Sequence, residues 1–97
     1  MAEPDAPQIF LCPPHIRWAY ESAHILVVNE ATGQAHLLVG EEAAIWDWLM
    51  LGYSYARIKQ FIAASTDRPT PQAEYHLRQQ LAAWQERGLL QKAAYHG

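Results

Sequence analysis

The stretch "HILVVNEATGQAHLLVGEE", His24 to Glu42, sets two short runs of branched aliphatic residues on either side of the polar tetrad Glu30-Ala31-Thr32-Gly33. Branched residues favour extended backbone, and a short polar segment with a glycine that supplies positive φ closes two such runs into a β-hairpin. With Asn29 opposite Gln34, Leu26 and Val28 share a face with Ala35, Leu37 and Val39, and that face is expected to be the buried one. Gly40 then precedes Glu41 and Glu42, acids suited to the positive end of a helix dipole, and "AAIWDWLMLG" reads as a mostly apolar helix ending at Gly52. A hairpin that runs straight into an apolar helix sets the fold class: sheet first, helices after.

Outward from this stretch the pattern holds. On the N-terminal side "HIRWAYES" alternates, with Ile16, Trp18 and Tyr20 on one side and Arg17, Ala19 and Glu21 on the other, which is strand periodicity. Residues 1–14 carry Pro4, Pro7, Pro13 and Pro14 and are expected to be a loose arm. On the C-terminal side, Ala44, Ile45, Trp48, Leu49 and Met50 leave the first helix little polar surface besides Asp47, which places it between the sheet and the other helices. Ser54 can cap a second helix, where Tyr55, Ile58, Phe61 and Ile62 recur at helical spacing up to about Asp67. Thr70-Pro71 opens a third helix with the stripe Leu77, Leu81 and Trp84; Gly88 closes it, and Leu89-Leu90 can pack back. The expectation is one α+β domain over residues 15–92, in the order β-β-β-α-α-α, with a short tail at 93–97.

Composition narrows the function. Of 97 residues, 51% are hydrophobic and four are Trp, enough apolar surface for one self-sufficient core. The formal charge is −3 with only seven Lys plus Arg, so no basic stripe can neutralise a run of phosphates, and nucleic acid is not the expected partner. Cys12 stands alone, no signal-peptide pattern opens the chain, and no apolar run approaches the ~18 residues of a membrane span. A soluble, cytoplasmic protein without membrane contact is expected.

The search for catalytic chemistry comes back nearly empty. Cys12 with His15 is the one nucleophile candidate, in an arm where nothing lowers a thiol pKa. His24 and His36 fall on neighbouring strands, but zinc needs three or four ligands and no further set is spaced to supply them. The glycines Gly33, Gly40, Gly52 and Gly88 are isolated punctuation, not a phosphate loop. Trp46, Trp48 and Trp84 read as core, while Trp18, Tyr20 and His76 stay undecided. No enzyme, metal or cofactor is expected, which leaves a binding module.

The order of these features resembles the PqqD-like family, the recognition elements for precursors of ribosomally made, modified peptides. The resemblance rests on the hairpin with its Gly-containing turn, the Ile45-Trp46 pair, Gly52 followed by the cap Ser54, and a last helix ending Gly88-Leu89, over about Ile16 to Leu90. It implies a non-catalytic, winged-helix-like domain in which the leader of a precursor peptide adds as an extra strand to the third strand, here Gln34, Ala35, His36, Leu37, Leu38 and Val39. The leader would lie in a cleft against the third helix, about Pro71 to Arg87, and be delivered to separate modifying enzymes such as a protease, a cyclase or a radical enzyme. Strand addition is sound physics: an edge strand exposes unpaired N–H and C=O groups for a guest backbone while neighbouring pockets select its side chains. With Leu77, Leu81 and Trp84 turned to the core, cleft contacts would come from Glu74, Tyr75, Arg78 and Ala82. Two positions depart from the family pattern: His76 stands where an acidic residue is typical, and Arg57 where the second helix usually starts with Glu. The rival readings are a winged-helix DNA binder using Arg78, Gln79, Gln80 and Arg87, against which the acidic charge speaks, and a scaffold subunit of an enzyme complex. Whether the chain dimerises stays open at this level.

Overall fold

The computed structural model describes residues 10–92. Most of the proposed N-terminal arm and the tail at 93–97 lie outside the described residues. The elements run β1 (Phe10–Leu11), β2 (Ile16–Glu21), β3 (His24–Asn29), β4 (Gln34–Leu38), α1 (Gly40–Met50), α2 (Tyr55–Thr66), α3 (Thr70–Glu86) and β5 (Gln91–Lys92). A three-stranded antiparallel sheet in the order β2-β3-β4 is thus followed by three helices, the expected α+β arrangement.

The hairpin forms as its turn chemistry dictates. Gly33 takes φ 78°, its N–H donates to the Asn29 carbonyl at 2.7 Å, and Asn29 pairs with Gln34. The Asn29 side chain is buried, and its Oδ1 accepts from the N–H groups of Ala31 at 2.9 Å and Thr32 at 3.3 Å. A short Asn side chain that hydrogen-bonds the backbone two residues on stabilises such a turn.

The buried face of the hairpin is the opposite of the one expected. Ile25, Val27, Asn29 and Leu38 point inward, whereas Leu26 and Val28 are half-buried and Ala35, Leu37 and Val39 are exposed. Both sets of alternate positions are branched aliphatic, so periodicity alone could not choose between them. The turn chooses: with Asn29 holding the loop from inside, every second residue from it is carried inward too.

The helices start and stop on the residues that read as signals. Ser54 Oγ accepts from the Arg57 N–H at 3.1 Å to cap α2, Asp67 ends it in the left-handed region at φ 58°, and Pro71 occupies the first turn of α3. Of α1, Ala43, Ile45 and Trp46 are buried, while Ala44, Trp48, Leu49 and Met50 are only half-buried, so the helix is less enclosed than its composition suggests. The core is a file of edge-to-face indoles: Trp18 on β2 meets Trp46 on α1 at 6.3 Å, and Trp46 meets Trp84 on α3 at 5.2 Å between ring centroids. This file joins sheet to helices.

Phe10 to Pro14 also depart from expectation. Phe10–Leu11 pair with Gln91–Lys92 as a separate two-stranded sheet, and Phe10 is buried in the core. Strands of two residues carry no periodicity and could not be read from the sequence.

Candidate functional site

β4 is the edge of the sheet: β3 pairs with one side of it, and no strand among the described residues pairs with the other. Its side chains alternate as the pleat requires. Leu38 is buried, His36 is half-buried opposite Val27, and Ala35 and Leu37 are exposed, as are Gln34 at the turn and Val39 beyond the strand. The strand is therefore anchored through Leu38 while its outer backbone edge is unpaired among the described residues.

α1 follows directly from this strand, and α3 reaches the junction through contacts to one carboxylate. His76 Nε2 lies 2.9 Å from Glu41 Oε1, and Arg68 Nη1 lies 3.6 Å from Glu41 Oε2. Glu41 sits in the first turn of α1, three residues after Leu38, so this carboxylate ties α3 to the point where β4 runs into α1. Beside it Arg68, Pro71, Gln72, Tyr75 and His76 line an open recess of ≈ 410 Å³. Tyr75 is 67% exposed and forms an amphipathic wall.

The predicted site residues divide between two sides of α3. Ala73, Leu77, Leu81 and Trp84 make its buried stripe, and the flanks to either side face different neighbours. His76 turns toward Glu41. Glu74 and Arg78 lie on the other flank against α2: Lys59 Nζ is 3.9 Å and Arg78 Nη2 3.6 Å from the Glu74 carboxylate, and the Tyr55 hydroxyl donates to it at 3.5 Å. A hydrogen bond with the Tyr55 hydroxyl, then the charges of Tyr55 and Glu74, hold the Arg78 guanidinium above its ordinary pKa. Burial is the main reason Tyr55 itself titrates above the usual phenol range. Ala82, exposed, belongs to the Arg78 flank by its spacing. The structure thus brings Tyr75, and not Glu74 or Arg78, together with the Glu41 side. Glu41 and His76 each stand out in the sequence, but only tertiary packing pairs residues 35 positions apart.

The remaining chemistry-bearing residues take structural places. Cys12 Sγ lies 3.7 Å from Met50 Sδ, and burial raises its thiol pKa, the opposite of what a nucleophile needs. His36 pairs with Val27, three residues along β3 from His24, so the two imidazoles are not cross-strand partners. No cluster of three potential metal ligands occurs among the described residues. Arg57, the departure at the start of α2, stacks over Tyr53 at 6.0 Å and Phe61 at 5.5 Å.

No protein-family model matches the sequence, and no curated protein does. Solved structures do match. One is TbiB1 in complex with the TbiA(beta) leader peptide, with a TM-score of 0.78, 24% identity, and 87% of this chain and 98% of that one covered. Another is a lasso peptide synthetase B1 complexed with its leader peptide, with a TM-score of 0.78, 22% identity, and 84% of this chain and 96% of that one covered. The chain has the fold of these proteins. The match agrees in architecture with the fold that the PqqD-like resemblance implies.

Proposed function

We propose that this chain is a non-catalytic recognition domain that binds the leader of a ribosomally made precursor peptide and presents it to separate modifying enzymes. The guest adds as a strand to the open edge of β4 and runs along the α3 flank marked by His76. The observation that carries this reading is the anchored edge of β4, unpaired among the described residues and ending at the Glu41–His76 contact, in a fold whose solved relatives hold leader peptides. Backbone pairing supplies affinity that tolerates sequence variation, and the His36, Tyr75 and His76 side chains discriminate among guests. Glu74 and Arg78, on the far flank, engage α2 instead, and the exposed Ala82 lies on their side. Nothing in the structure favours DNA binding, since Arg78, which that role would aim at bases, is engaged with Glu74 and Tyr55.

Titration with the short precursor peptides encoded near the gene, followed by amide hydrogen exchange, tests the proposal. Micromolar or tighter binding of one leader, with new protection confined to β4, is the expected result. No binding across those precursors, or protection elsewhere, rejects it.

A further inference from the structure

The sheet carries branched aliphatic residues on both faces, although among the described residues helices cover only one. Across the three strands the register aligns Ala19, Leu26 and Leu37 in one row of the uncovered face, with Arg17, Val28 and Ala35 in the row on one side. Glu21 pairs with His24 in the row on the other side. Leu37 is 52% and Val39 45% exposed, Ala19 and Ala35 are exposed, and Leu26 and Val28 are half-buried. Antiparallel strands with one face in water ordinarily alternate apolar and polar, and near-continuous runs such as Ile25-Leu26-Val27-Val28 and Leu37-Leu38-Val39 belong to strands covered on both sides.

We infer that this face is covered by a second copy of the chain, in a two-fold symmetric dimer of sheets packed face to face. Charge and register select this occupant. A two-fold axis along the Ala19-Leu26-Leu37 row reverses the strand direction while laying β2 over β2, so that row packs on itself and Arg17 of each copy faces Glu21 of its partner. Both charges are exposed, and each lies two residues, about 7 Å, from the axis. Packed sheets cross at about 30°, which keeps the two side chains within reach. In the same arrangement the small Ala35 lies opposite the exposed Val39. The ion pair of Arg17 with Glu30 in the same chain, 3.4 Å long and largely in solvent, holds Arg17 only weakly and does not compete strongly. The outer edge of β4 points sideways, out of the interface, so the dimer is compatible with strand addition but does not depend on it.

Sedimentation equilibrium of the full chain over a concentration series tests the dimer. The expected mass rises from one chain toward two, Leu37→Asp remains monomeric with an unchanged circular dichroism spectrum, and Arg17→Glu and Glu21→Arg each weaken association about tenfold. The combined Arg17→Glu/Glu21→Arg variant recovers most of that loss, which a merely local role of either residue would not produce. A monomer at every concentration overturns the inference. So does a dimer indifferent to Leu37→Asp, or a double variant no better than its single parents.

Discussion

Asn29 shows how one side chain fixes more than its own position. Its amide is buried at the hairpin turn and accepts two backbone N–H groups, so its removal leaves donors that must find water or stay unpaired. Asn29→Ala is expected to cost about 1–3 kcal/mol in chemical denaturation, and a loss below about 0.5 kcal/mol would show that the turn does not need it. Glu41 is the counterpart at the other end of β4. Apart from favouring the α1 dipole, its carboxylate reaches both Arg68 and His76. Glu41→Gln keeps the shape and removes the charge, and it should weaken peptide binding several-fold by loosening α3 from the end of β4, with the unfolding midpoint little changed. Unaltered affinity by calorimetry would assign Glu41 to helix capping alone.

At the scale of elements, β4 does two jobs because a strand has two faces and two edges. Leu38 anchors it, Leu37 and Ala35 belong to the uncovered face, and no described strand pairs with the backbone edge opposite β3. Proline within such a strand removes a donor and distorts the ladder. His36→Pro is therefore expected to reduce leader affinity well beyond His24→Ala, whose side chain starts β3, on the strand away from the open edge. Fluorescence anisotropy with a labelled leader measures both, and equal losses would count against strand addition. On α3 the buried stripe separates a flank committed to α2 from a flank turned to Glu41. Arg78→Ala is accordingly expected to leave leader affinity within about twofold, since its exposed ion pair with Glu74 lies on the flank turned to α2.

For the whole molecule, the indole file from Trp18 through Trp46 to Trp84 is what makes sheet and helices one unit. Trp46 and Trp84 are fully buried, and among the described residues their ring N–H groups meet no hydrogen-bond acceptor, so their contribution there is packing. Trp84→Ala should cost about 3–5 kcal/mol, a large share of what a domain of this size possesses. The variant is expected to melt far below the parent, or to lose its near-ultraviolet dichroism at room temperature. A small shift in melting temperature would mean that the sheet and helices hold together by other contacts.

What the sequence determined by itself is local. Alternation in "HIRWAYES", the glycine of the Glu30–Gly33 turn, the Ser54 cap and the Thr70-Pro71 start each act through neighbouring residues, and the structure places β2, the hairpin, α2 and α3 accordingly. The open edge of β4 was legible too, because a strand that ends a run of antiparallel neighbours has one side unpaired whatever packs above it. Only the tertiary structure decided which hairpin face is buried, since Leu26-Val28 and Ile25-Val27 are equally apolar and the choice rests on Asn29 and the helices. It alone decided which flank of α3 meets the start of α1, because the pairing of Glu41 with His76 depends on how α3 is rotated about its axis, and a buried stripe of Ala73, Leu77, Leu81 and Trp84 leaves either flank available.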